Sequence, residues 1–110
     1  MTTEFEVRSL LCGNTTRITV ERRGNDASTI TVESTCEKIR EYSEKIREIG
    51  IRDACKSFSE NPVYVSASSS KIPADCLVPC GVVMALWGEF GMISKNLLRG
   101  DDAQSIRFIR

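Results

Sequence analysis

Apolar and polar residues alternate along three stretches in the first third of the chain. From Phe5 to Leu11, Phe5, Val7, Ser9 and Leu11 fall on one face, and Glu6, Arg8 and Leu10 on the other. A period of two predicts a half-buried strand over 5–11. Cys12-Gly13-Asn14 then interrupts it with turn residues. Alternation resumes over 15–23, with Ile18 and Val20 against Arg17, Thr19 and Glu21. After the Gly24-Asn25-Asp26-Ala27 turn, a third strand is predicted over 28–33, with Ile30 and Val32 inward. Matching alternation across a short Gly/Asn/Asp turn predicts an antiparallel hairpin.

The period then changes. Ser34 and Glu37 have the spacing of a capping box. They predict a helix over 35–49 with Cys36, Ile39, Tyr42, Ile46 and Ile49 on one stripe, stopped by Gly50. Ile51, Ala54, Cys55 and Phe58 are spaced i, i+3, i+4, i+7, which predicts a second helix over 51–58 with Cys55 as a core residue. Asn61-Pro62 opens a short helix to Ser69, an extended Val63–Val65 being the alternative.

The stretch that organises the chain lies further on. Thirteen residues from Cys76 to Gly88 carry no charge, in a chain that is 27% charged. Pro79 suits a helix first turn. Val82, Val83, Met84, Ala85, Leu86, Trp87 and Phe90 then cover nearly every side of the helix predicted over 79–92. A helix apolar all round is buried. It is too short to span a bilayer, which takes about 20 residues. Asn96 to Gln104 is a polar connection with a Gly100-Asp101-Asp102 turn. Residues 105–109 alternate once more and predict a last strand that joins the sheet. The expectation is one α+β domain over 1–110. A mainly antiparallel sheet of three or four strands is covered on one face by helices, with 79–92 central.

Composition narrows the function classes. Fifteen basic and fifteen acidic residues cancel, and aromatics are 6%. Neither a basic footprint nor a set of stacking platforms for nucleic acid is present. The Glu/Lys/Arg run of 37–48 reads as a solvated helix face. Residues 1–10 have no basic or apolar leader pattern, so the expectation is a cytoplasmic chain without a membrane segment. The chain has no histidine, which removes imidazole catalysis and mixed Cys/His zinc sites. No phosphate loop, serine elbow or zincin pattern occurs.

Five cysteines remain, an odd number that argues against a paired framework. Four fall at predicted element ends: Cys12 in a turn, Cys36 opening a helix, Cys76 before the central helix, and Cys80 in its first turn. A thiol in a helix first turn meets free N–H groups and the positive end of the dipole, which lower its pKa. In a two-layer domain such ends can meet at one edge of the sheet. Thiolates gathered there, with Asp75, would select zinc, copper(I) or an iron–sulfur cluster.

Two resemblances bear on this. Asp75-Cys-Leu-Val-Pro-Cys-Gly-Val-Val-Met-Ala85, with Cys12-Gly13 and the late Ser-Ile-Arg-Phe-Ile run, is similar to a small uncharacterised family of anaerobic archaea and bacteria. The order Cys12-Gly13-Asn14, Thr35-Cys36, Asp75-Cys76 resembles the NifU/IscU-type scaffold for iron–sulfur cluster assembly. That likeness implies Cys12, Cys36 and Cys76 as cluster or zinc ligands, Asp75 or Cys80 as a fourth, and a protein partner in metal or cluster transfer. Asn14 and Asp75 stand where the scaffold has aspartate and histidine.

Three readings stay open. The first is a metal or cluster carrier that is not a turnover enzyme. The second is a thiol redox protein using Cys76 and Cys80, and the third is a non-catalytic interaction module.

Overall fold

A computed structural model describes residues 2–98 and 102–110. Three strands, β1 (Thr2–Arg8), β2 (Thr15–Arg23) and β3 (Ala27–Ser34), form an antiparallel meander in the order β1-β2-β3. Phe5 pairs with Ile18 and Ile18 with Val32; Thr3 pairs with Val20 and Val20 with Ile30. The sheet therefore has one apolar face. Glu4, Glu6, Arg17 and Glu33 project from the other.

Four helices follow: α1 (Glu37–Lys45), α2 (Ile51–Ala54), α3 (Pro62–Ser69) and α4 (Val78–Glu89), then a 3-10 turn at Lys95–Leu98. The architecture is α+β, as the periodicities predict. No residue of α4 is exposed, and Val82, Ala85 and Leu86 are fully buried. Gly81 lets α4 approach the sheet. A Cβ there would lie 2.9 Å from both Ile18 Cδ1 and Val7 Cγ2. The helix ends in a Schellman arrangement. Gly91 takes φ +77°, its N–H donates to Gly88 O, and Met92 N–H donates to Trp87 O. No helix among the described residues is long and apolar enough to cross a membrane.

Several elements differ from the sequence expectation. β1 starts earlier and stops at Arg8, because residues 9–14 close a turn. Ser9 N–H donates to Asn14 O and Gly13 N–H to Ser9 O. Leu10 and Leu11 therefore sit exposed at its tip. α1 ends at Lys45, where the backbone turns to the edge of β3: Ile30 N–H donates to Arg47 O at 2.7 Å, and Thr29 bridges Glu48. Ser34 does not cap α1. The N-cap is Cys36, and Ser34 Oγ accepts its N–H at 3.1 Å. α2 is a single turn. Cys55 follows it exposed, with Sγ 3.7 Å from Met92 Sδ, so the core role predicted for Cys55 is incorrect. Phe58 is exposed too, its ring edge-on to Tyr64. α3 is helical, with Asn61 Oδ1 accepting Val63 N–H at its start. The predicted strand over 105–109 does not form, and these residues make no ladder with the sheet. Of the predicted Gly100-Asp101-Asp102 turn, Gly100 and Asp101 lie outside the described residues.

Glu89 fixes the C-terminal end of α4. Its side chain is 1% exposed and accepts from Thr3 Oγ1 at 2.7 Å and from Arg22 N–H at 3.1 Å, with Lys95 Nζ at 3.8 Å. Glu89→Ala strands a buried hydroxyl and a backbone donor. It should cost about 1–3 kcal/mol in denaturant unfolding, and Glu89→Gln should cost less. Equal losses for the two variants would contradict this.

Candidate metal centre

The sheet register sets where the thiols lie. Arg8 pairs with Thr15, and Thr16 with Ser34. The turn carrying Cys12 and the junction carrying Cys36 are thus at the same end of the sheet. A polar clasp joins them. Thr35 Oγ1 donates to Asn14 Oδ1 at 2.9 Å and accepts Thr15 N–H at 3.2 Å, while Thr35 N–H donates to Thr15 O. α4 begins at this end as well, since Gly81 faces Val7 and Ile18 whereas Glu89 reaches Thr3 and Arg22 at the other end. Cys76 sits in the turn that feeds α4, its N–H donating to Pro73 O at 3.0 Å.

The environments differ. Cys12 is exposed. Hydrogen bonds from the Ser9 side chain and from Asn14 hold its thiolate, so its pKa lies below the usual value. Cys36 and Cys76 are half-buried against the core. Burial pushes the Cys76 thiol up. The Val78 N–H opposes this, while the negative charges of Cys12, Cys36 and Asp75 add to it. The Cys12 and Cys36 segments and the adjoining Asp75 thus each disfavour the Cys76 thiolate. A cation placed among them reverses the sign of that interaction, because it favours each thiolate that its neighbours disfavour.

Cys80 has other neighbours. It lies in the first turn of α4, 4.0 Å from Met84 Sδ; burial pushes the Tyr64 phenol up, and Cys80 adds to this. Cys12, Cys36, Cys76 and Asp75 thus share one end of the sheet, and Cys80 stands a turn further along. Among the described residues, no three cysteine or carboxylate groups lie close enough to hold one ion as they stand.

Two features escape sequence reasoning. The Asn14–Thr35 clasp carries no motif, although both residues adjoin the turn and thiol already singled out. The second is Tyr42, which lies under the site. Burial pushes its phenol up, with Tyr64 and Cys76 adding, and its hydroxyl donates to Val63 O at 2.9 Å. Only its place on the apolar stripe of α1 was visible in the sequence.

The two displaced thiols should differ in reactivity. Cys12, with its lowered pKa, holds more thiolate at neutral pH than Cys76, with its raised one, and thiolate is the nucleophile. Iodoacetamide should therefore label Cys12 before Cys76 at pH 7, followed by peptide mass spectrometry. Labelling of Cys76 first would contradict the assigned environments.

A model of a family of unknown function, DUF6951, matches residues 3–98. No curated protein and no solved structure matches the chain.

Proposed function

The chain belongs to DUF6951, a family of unknown function, and on that premise we propose that it binds a soft metal or an iron–sulfur cluster through cysteines alone. Cys12, Cys36 and Cys76 are the ligands, with Asp75 or Cys80 completing the set. Zinc or a small cluster is the cargo, both of them among the soft metals that thiolates select. The role is that of a carrier or scaffold, which takes its metal from, or passes it to, a protein partner. No substrate is turned over.

One observation supports the reading: the turn with Cys12, the junction with Cys36 and the start of α4, which Cys76 precedes, lie at the same end of the sheet. The order of the three cysteines, which resembles the NifU/IscU scaffold, adds to it. The exposure of Cys12 also favours it, because a ligand at the surface lets cargo enter and leave.

Anaerobic purification followed by elemental analysis and an absorption spectrum tests this. The expected result is stoichiometric zinc, or iron with sulfide and visible charge-transfer bands. Protein that arrives metal-free and takes up neither zinc nor a reconstituted cluster would overturn it.

A further inference from the structure

The sheet has two edges, and among the described residues only that of β3 carries a backbone bridge. Arg47 and Glu48 bridge the edge of β3. No strand lies beyond β1 among the described residues. An edge strand of seven residues leaves a row of N–H and C=O groups unpaired, a template for another strand. A groove of about 1320 Å³ runs along it, between β1, the first half of α4 and residues 102–106.

The chain also carries a strand-forming segment without a sheet. Ser105-Ile-Arg-Phe-Ile-Arg110 alternates and is rich in β-formers. Ile106, Phe108 and Ile109 are nevertheless 84, 87 and 85% exposed. Residues 102–106 border the groove, yet the segment that follows makes no ladder with its own β1.

We propose that residues 105–110 of a second copy pair with β1 as a fourth strand, and that two chains exchange these segments in a two-fold symmetric dimer. The chemistry of the two strands matches. With Ile106 and Phe108 on the helix side, they extend the apolar row of Phe5 and Val7, which are only half-buried. Arg107 then falls on the open face together with Ile109, and there β1 presents Glu4 and Glu6. Opposite charges across strands stabilise the pair. Direct pairing of two β1 edges is disfavoured, because antiparallel alignment about Phe5 sets Glu4 of each chain against Glu6 of the other. The second copy therefore offers its 105–110 segment and not its β1. This inference is independent of the metal reading.

Light scattering of the full chain, with a chelator present to exclude metal-bridged association, tests it. The expected mass is twice the 12.3 kDa of one chain. Ile106→Asp with Phe108→Asp should give a monomer with an unchanged far-ultraviolet circular dichroism spectrum, since both side chains are exposed within one chain. Glu4→Lys with Glu6→Lys should weaken association at least tenfold. A wild-type chain that is monomeric at high micromolar concentration would overturn the proposal. So would a dimer that survives the Ile106/Phe108 double variant. A monomer whose own 105–110 amides are protected from exchange would also overturn it, since the segment would then pair within its own chain.

Discussion

Leu86→Ala is expected to lower the unfolding free energy by about 2–5 kcal/mol, the range for truncating a fully buried leucine. Leu86 has no exposed surface and sits in the stretch of α4 where Val82 and Ala85 are also fully buried. The sheet closes one side of that helix, and contacts from α2 and α3 close others. The helix cannot slide to refill the space. Gly81 already brings it within 2.9 Å, for a hypothetical Cβ, of Ile18 and Val7, and Glu89 ties its far end to Thr3 and Arg22. A cavity cost therefore adds to the lost transfer energy. Total stability for a domain is about 5–15 kcal/mol, so one substitution removes a large share. Val65→Ala is the control. Val65 is 47% exposed on α3 and should change stability by about 0.5 kcal/mol or less. Denaturant unfolding measures both. A Leu86→Ala loss below half a kcal/mol would mean that α4 does not carry the core.

How far the sequence reveals this fold depends on how local each cause is. The burial of α4 was legible because thirteen uncharged residues in a row admit no solvent face. The β2–β3 hairpin was legible because alternation on both sides of Gly24-Asn25 fixes which residues pair. The end of α1 was not, because it depends on β3. The helical pattern continues through Ile46 and Ile49, both buried, yet the backbone of Arg47 leaves the helix to satisfy the Ile30 N–H. Residues 105–109 show the converse. Their alternation is real, but a strand needs a partner that no periodicity can supply. Cys55 was misplaced for a related reason. Its i+4 spacing from Ile51 counts only if the helix continues, and α2 stops after one turn.

The thiols follow the same division. That Cys12, Cys36, Cys76 and Cys80 stand at element ends was readable from turn and cap residues. That the first three share one end of the sheet follows from the register and from the direction of α4.

The second large effect concerns binding. Cys12→Ser, Cys36→Ser and Cys76→Ser should each abolish uptake of zinc or cluster. A serine hydroxyl stays protonated at neutral pH and does not replace a thiolate, and a site with three thiolates has none to spare. Loss of even an outer partner to a ligand costs about 10–100-fold in affinity, so loss of a ligand should cost more. Cys55→Ser should leave binding intact, because Cys55 is exposed beside Met92 and away from the others. Zinc titration against a chromophoric chelator, with circular dichroism to confirm folding, separates lost binding from lost structure. Folded Cys36→Ser protein that binds as wild type would remove Cys36 from the site.

The central claim is that thiolates from three separate segments meet on one ion. X-ray absorption at the metal edge of the anaerobically loaded protein tests it most directly. The prediction is a sulfur shell of at least three scatterers at about 2.3 Å, with no bound metal in the Cys12, Cys36 and Cys76 serine variants. A shell of only oxygen or nitrogen at about 2.0–2.2 Å, unchanged by those substitutions, would contradict it.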